Sequence, residues 1–176
     1  MQNKFFDSVL TTSKYRKDTN ERILWTENLN IIKILTLKKN ELRQPSIQVY
    51  SSEKIIVSCL NGHSFIVLID LRKNSPTFQK WEGFHLTPDN LTQITIPNGF
   101  AYGFCSLEDN TIIHIFSQNS LSSQFKEFIS YNDTTLQIKW PIKLEEAIIL
   151  PKENDGILTL EEIIKFYGKE FEQYDV

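Results

Sequence analysis

The chain is short of the residues that most directly signal special chemistry. Of its 176 residues, two are cysteine and three are histidine. Cys59 and Cys105 sit in separate apolar runs with no C-x-x-C partner. That argues against a disulfide framework and for two buried free thiols in a reducing compartment. The histidines His63, His85 and His114 never occur as His-x-His, the spacing by which one strand offers two ligands to a metal. No metal and no cofactor are expected. No apolar run approaches the ~20 residues needed to cross a bilayer. The opening Met1–Phe6 has no long apolar stretch of a secretory signal. A cytoplasmic protein without membrane contact is expected. The 19 Lys and Arg are outnumbered by 22 Asp and Glu, for a net charge of −3. The basic excess that neutralises a phosphate backbone is missing, which turns the reading away from nucleic acid.

What is present is a succession of short runs dense in β-branched residues: Ile31–Leu37, Ile55–Leu60, Ser64–Leu71, Gln93–Ile96, Tyr102–Leu107 and Thr111–Phe116. Asn61-Gly62, Asn98-Gly99 and Glu108-Asp109-Asn110 punctuate them. An Asn-Gly between two such runs predicts a hairpin, because both residues tolerate positive φ. Many short strands at close spacing point to an antiparallel sandwich or barrel. No linker, repeat or low-complexity stretch divides the chain. One helix is predicted near the end. Thr159 and Glu162 form a capping box, Leu160, Ile163, Ile164 and Tyr167 recur at helical spacing, and Gly168 is the stop.

Several segments carry a resemblance. Ile69-Asp70-Leu71-Arg72-Lys73-Asn74-Ser75-Pro76-Thr77-Phe78 is similar to V-D-L-R-x-G-S-P-T-F, and Leu86-Thr87-Pro88-Asp89-Asn90 to L-S-x-E-N. Ile96-Pro97-Asn98-Gly99-Phe100-Ala101-Tyr102-Gly103-Phe104 is similar to I-P-E-G-F-A-H-G-F, with Asn132-Asp133 and Trp140-Pro141 following in order. From about Arg43 onward the chain resembles the dTDP-4-dehydrorhamnose 3,5-epimerase family, while residues 1–30 show no recognisable match. The resemblance implies a mainly β fold, a double-stranded β-helix of the cupin or jelly-roll type with short helices. It also implies a homodimer that binds a nucleotide-diphosphate sugar. Residues 1–30 are expected to form a divergent arm of the same domain, 31–150 the barrel, and 151–176 a C-terminal segment with the helix.

Epimerisation beside a ketone needs a base for the α-proton, a group that holds the enolate, and an acid on the opposite face. The resemblance assigns the base to the histidine of R-G-L-H-Y-Q. Here that stretch is Arg43-Gln44-Pro45-Ser46-Ile47-Gln48, which puts Ser46 at the histidine, or Pro45 if the register is set from the downstream strand. The acid tyrosine falls on Ile115, a second tyrosine on Leu121, and the histidine of F-A-H-G on Tyr102. A serine without a neighbouring base does not remove such a proton near neutral pH. Strand alternation turns His114 away if Ile115 points inward. His63 follows a turn, and His85 adjoins a polar segment. Arg43, Gln48, Lys54 and Tyr102 remain as ligand-binding candidates. Lys54 is one residue from the position of the family's lysine and needs a bulge to reach it. Arg16, Lys17 or Arg22 are candidates to replace an N-terminal phosphate-binding element. Asp155 lies near an aspartate that orients the family's histidine.

Three functions follow as expectations. The first is a sugar-nucleotide-binding cupin of surface-polysaccharide metabolism with its epimerase chemistry lost or altered. The second is a non-catalytic partner of an active epimerase paralogue. The third is retained epimerase activity, with His63 recruited or the register at Ser46 shifted.

Overall fold

The computed structural model describes residues 12–16, 21–25, 30–48, 55–118, 126–151 and 156–174, with side chains over 32–47, 55–117, 127–151 and 156–174. Period-two alternation of β-branched and aromatic residues drives most of the chain into strands. In order these are β1 (Thr12–Arg16), β2 (Glu21–Trp25), β3 (Asn30–Leu37), β4 (Glu41–Gln48), β5 (Ile55–Asn61), β6 (Ser64–Asp70) and β7 (Trp81–Leu86). There follow β8 (Gln93–Ile96), β9 (Phe100–Ser106), β10 (Thr111–Gln118), β11 (Lys126–Ile129), β12 (Ile148–Leu150) and β13 (Ile157–Leu158). Helix α1 covers Leu160–Tyr167. Among the described residues no helix is long and apolar enough to cross a membrane.

The strands form two sheets. The first has the order β1-β2-β3-β10-β5-β8, and the second β13-β11-β4-β9-β6-β7, with β12 pairing in parallel with β4. The Asn61-Gly62 turn does not close a hairpin as expected from sequence. It carries the chain from β5 in the first sheet to β6 in the second. An Asn-Gly turn fixes the local reversal but not the pairing of what flanks it.

One apolar cluster lies between the sheets. Leu35, Leu37, Val57, Ile113 and Ile115 of the first sheet meet Ile66, Leu86 and Phe104 of the second. A second cluster covers the other face of the second sheet. Val67, Ile69, Ala101 and Cys105 pack there against Leu136, Ile138, Trp140, Leu160, Ile163 and Phe171. The second sheet is therefore buried on both faces, and β6 reads as a nearly continuous apolar run. Burial pushes the Cys105 thiol up to about 12, and both cysteines are free and buried. The helix caps as its sequence predicts. Thr159 Oγ1 accepts from the Glu162 amide, and Glu162 Oε2 accepts from the Thr159 amide at 2.8 Å. Its apolar side, Leu160 and Ile163, is buried in the second cluster.

Strand β4 contains the irregularity that positions the site. Arg43 pairs with Phe104 and Ser46 with Tyr102, so Gln44 and Pro45 together oppose Gly103. This is a β-bulge, two residues against one. A Cβ on Gly103 would lie 2.7 Å from Pro45 N and 2.8 Å from Arg43 O, so only glycine fits. Gln44 turns to the outer face. Its Oε1 accepts from the Tyr131 amide at 3.0 Å, and its Nε2 donates to Pro151 O at 2.8 Å.

The turn after β6 is locked by a single carboxylate. Asp70 accepts from the Arg72 amide and Nε at 2.9 and 3.0 Å, from Arg72 Nη2 at 2.8 Å, and from the hydroxyls of Ser75 and Thr77 at 2.6 Å each. Burial alone would raise its pKa. The Arg72 guanidinium, both hydroxyls and the Arg72 amide outweigh that and hold it well below the usual carboxylate range.

Two predictions follow from these contacts. A carboxylate with a depressed folded-state pKa contributes stability above its unfolded value of ~3.9, and the contribution is lost as pH falls toward the folded value. Asp70→Asn is expected to cost about 3 kcal/mol near neutral pH. The gap to wild type should narrow below pH ~4, as read by thermal melts across pH. A gap that stays constant into acid would refute this role. Gly103→Ala is expected to destabilise by about 2 kcal/mol through overpacking. It should also move the Ser46 and Tyr102 amide resonances together, whereas a change confined to residue 103 would show that the bulge does not depend on glycine.

Candidate functional site

Paired residues of a ladder share a face. Tyr102 pairs with Ser46 on one side and Leu68 on the other, and it packs against the cluster between the sheets. Ser46 and Tyr102 therefore face the lumen together, with Ser46 only 4% exposed. Pro45 lies within the bulge, so of the two registers open in the sequence it is Ser46 that looks inward. Arg43 also faces inward, one row deeper, or about 7 Å along the strand. Its Nε and Nη2 meet Glu41 Oε1 at 3.0 and 2.9 Å. Glu41 is 6% exposed and also accepts from the Lys38 amide at 3.2 Å. This buried pair was not among the candidates read from sequence. Its signal was there in the i, i+2 spacing, which places both side chains on one face.

From the opposite sheet Ile115 enters the lumen, 7% exposed and packed in the cluster there. It pairs with Val57 on β5 and with Lys33 on β3. The side chain of Gln48 and all of Lys54, Leu121, Asp155 and Lys17 lie outside the described residues, as do the side chains of Arg16 and Arg22.

The three histidines of the chain are all described, and none reaches this lumen. His114 is on the outer face of the first sheet, with Nδ1 3.5 Å from Ser58 Oγ. Burial there lowers its pKa and favours the neutral ring. His85 pairs with Phe65, which packs on the outer cluster of the second sheet. His63 meets it, Nε2 to Nδ1, at 2.8 Å, with ring centroids 4.9 Å apart. His63 is five residues from Leu68, the lumenal neighbour of Tyr102, or about 17 Å along the strand. In the sequence His63 follows a turn and His85 adjoins a polar segment 22 residues on, and the folded strands bring them into contact. Among the described residues no group of three or more His, Cys, Asp or Glu converges to hold a metal.

The family-like Asn132-Asp133 segment has a scaffold role. Asp133 Oδ1 accepts from the Thr135 and Leu136 amides, and its Oδ2 accepts from the Leu160 amide at 2.8 Å, tying the loop to the start of α1. Trp140 Nε1 donates to Tyr131 O at 2.9 Å beneath it. The lumen thus offers a buried serine, a phenol, a paired arginine and an apolar opposite wall. That set can bind polar oxygens but has no imidazole to move a proton.

Comparison with known proteins agrees with the architecture. The dTDP-4-dehydrorhamnose 3,5-epimerase family model matches residues 9–161, so it includes most of the N-terminal stretch that showed no recognisable match by sequence alone. The dTDP-4-dehydrorhamnose 3,5-epimerase of Shigella flexneri is 38% identical over 110 residues, covering 62% of this chain and 59% of that protein. That of Escherichia coli K12 is 36% identical over 129 residues, covering 72% of this chain and 68% of the relative. The matched part therefore spans roughly three fifths to two thirds of these relatives. The crystal structure of dTDP-6-deoxy-D-glucose-3,5-epimerase RmlC from Legionella pneumophila, in complex with dTDP-4-keto-L-rhamnose, superposes with a TM-score of 0.71 at 25% identity. It covers the whole of this chain and 84% of that one. A jelly-roll pair of sheets, the D-L-R and P-N-G-F segments in their places on it, and a match running from residue 9 to 161 make this chain a member of the dTDP-4-dehydrorhamnose 3,5-epimerase family.

Proposed function

We propose that this chain binds a sugar nucleotide in the lumen between its sheets and does not carry out 3,5-epimerisation by a histidine base and a tyrosine acid. The observation that carries the reading is the location of the histidines. His63, His85 and His114 all lie off the face shared by Ser46, Tyr102 and Ile115. Removing a proton beside a ketone needs a titratable acceptor within hydrogen-bond reach. Among the described residues Ser46 has no imidazole or carboxylate next to it on the lumenal row, and Ile115 has no proton to give. Binding groups survive where chemistry does not: Tyr102 carries a hydroxyl into the lumen, and Arg43 lies one row below. The Legionella relative is in complex with dTDP-4-keto-L-rhamnose, which supports a ligand of that class here. The two buried thiols suit a reducing cytosol.

The test has two arms. Titration with dTDP and a dTDP-4-keto-6-deoxy sugar is expected to release heat. NMR of the same sugar in deuterated buffer is expected to show no deuterium entering carbons 3 or 5 over hours. Deuterium incorporation overturns the loss of chemistry, and silence in the titration overturns the ligand.

A homodimer, alone or exchanged for pairing with an active family member, is supported by the outer face of the first sheet. Ile32, Ile34, Ile56, Ile112 and Phe116 are half-buried there around His114 and belong to neither apolar cluster. Contiguous apolar surface of this kind marks an interface. Phe116→Glu is expected to convert a dimer to a monomer in sedimentation velocity. An unchanged sedimentation coefficient places the interface elsewhere.

A further inference from the structure

No single strand of this chain offers two histidines, but two neighbouring strands do. Phe65 of β6 pairs with His85 of β7. His63, two residues before Phe65, therefore lies diagonal to His85 on the same outer face of the second sheet. The two rings meet there with His63 Nε2 2.8 Å from His85 Nδ1. His85 is exposed and His63 half-buried, so the facing nitrogens are open to solvent.

Both residues are held from behind. The His85 ring packs on Phe65 with centroids 5.0 Å apart, and Phe65 meets Trp140 edge to face at 6.3 Å. The His85 carbonyl accepts from Asn90 Nδ2 at 2.8 Å. The His63 carbonyl accepts from the Leu107 amide at 2.8 Å. Two side chains carried on a fixed frame lose little freedom when they close on a common ligand.

The separation of the nitrogens suits such a ligand. Imidazole–metal bonds of ~2.0 Å at a right angle place their nitrogens ~2.8 Å apart, against ~3.3 Å in a tetrahedral site. His63 Nε2 and His85 Nδ1 are thus spaced for two adjacent positions of a square-planar or tetragonal ion, the geometry of Cu(II) and Ni(II). Binding takes no net proton from the neutral pair. Each ring keeps one, on His63 Nδ1 and His85 Nε2, and tilts to turn its facing lone pair toward the ion. Among the described residues no third His, Cys, Asp or Glu joins them, so water fills the remaining positions.

We propose that His63 and His85 form a two-histidine site for a divalent cation of tetragonal preference, Cu(II) or Ni(II), on the outer face of the second sheet. The site is on the opposite face from the lumenal Ser46 and Tyr102 and does not rest on the sugar-nucleotide reading. β7 ends its sheet, so the ion ties this edge strand to the turn that leads into β6. An ion that binds only the folded chain raises its melting temperature.

The experiment titrates the full, untagged chain with CuCl2 and NiCl2, and with MgCl2 as a control, by calorimetry and by NMR of the imidazole ring protons. One Cu(II) or Ni(II) per chain is expected, with Cu(II) the tighter and no heat from Mg(II). Substoichiometric Cu(II) is expected to broaden the ring protons of His63 and His85 while those of His114 stay sharp. His63→Gln and His85→Gln, shown to be folded by metal-free melting temperatures equal to wild type, are each expected to weaken Cu(II) about tenfold or more, the least that loss of a group orienting a ligand costs. Equal broadening of all three histidines, or Cu(II) affinity unchanged in either variant, means an adventitious ion only and overturns the site. A wild-type chain that takes up neither ion overturns it as well. The wild-type ring signals decide independently of whether either variant folds.

Discussion

The arrangement of this protein depends on the second sheet being buried on both of its faces. Along β4, β6 and β9 a side chain cannot escape to solvent. It enters either the lumen or the layer formed by Trp140, Leu160 and Phe171. With a period of two, a shift of one residue exchanges every side chain between those environments. The bulge at Gln44 and Pro45 is one such shift, built in at a fixed place. Before it, Glu41 and Arg43 face the lumen. After it Ser46 does, and Ile47 goes to the outer layer. Without the extra residue, Ile47 would take the lumenal place and Ser46 would be buried against the helix layer. The bulge is held from one side by the bare backbone of Gly103 and from the other by Gln44, which is bonded to two segments of the C-terminal third.

The segments that most resemble the epimerase family serve the scaffold. Asp70 gathers five donors into one turn, and Asp133 joins a loop to a helix start. Each satisfies buried polar groups whose loss would cost a few kcal/mol, so each is retained for as long as the fold is. The lumenal positions answer to a different demand. Nothing in the sheets requires an imidazole at 46 or a phenol at 115, and a serine and an isoleucine fit there without disturbing a ladder. Membership of the family is therefore secured by its architecture, while activity has to be argued from the site alone.

How much of this was legible in the sequence follows the range of the interactions. The helix from Leu160 to Tyr167 could be read residue by residue because its capping box and apolar spacing are local. Strands β3, β5, β6, β8, β9 and β10 were visible as apolar runs, with ends displaced by a residue or two, whereas β1, β2, β4, β7 and the short β11, β12 and β13 were not. The partners of the visible strands were hidden too. Asn61-Gly62 gives the same turn whether its flanking strands pair together or join two sheets, and only the packing of Val57 against one partner and Val67 against another decides. The bulge was hidden for the same reason. The uncertainty between Pro45 and Ser46 was its trace in the sequence, because an extra residue makes two registers fit equally well. The inward face of Lys33 was hidden likewise, because it is set by pairing with Ile115, far along the chain.

The isoleucine at 115 also has an energetic side. A buried tyrosine needs a partner for its hydroxyl, and a buried polar group left without one costs about 1–3 kcal/mol. Isoleucine at 115 needs none. It is β-branched, sits in a strand flanked on both sides, and contacts a cluster of the same character. Activity requires polar groups to be held in a partly dry cleft, which works against packing. An isoleucine at 115 avoids that conflict on the first sheet, while the second sheet brings Ser46, Tyr102 and the Arg43–Glu41 pair to the lumen. The described lumenal residues are unevenly distributed, with Ser46, Tyr102 and the Arg43–Glu41 pair on the second sheet opposite Ile113 and Ile115 on the first. That distribution supports the proposed reading: among the described lumenal residues there are polar oxygens and a ring to meet a ligand, but no acid and base set on opposite faces of one carbon, as inversion requires.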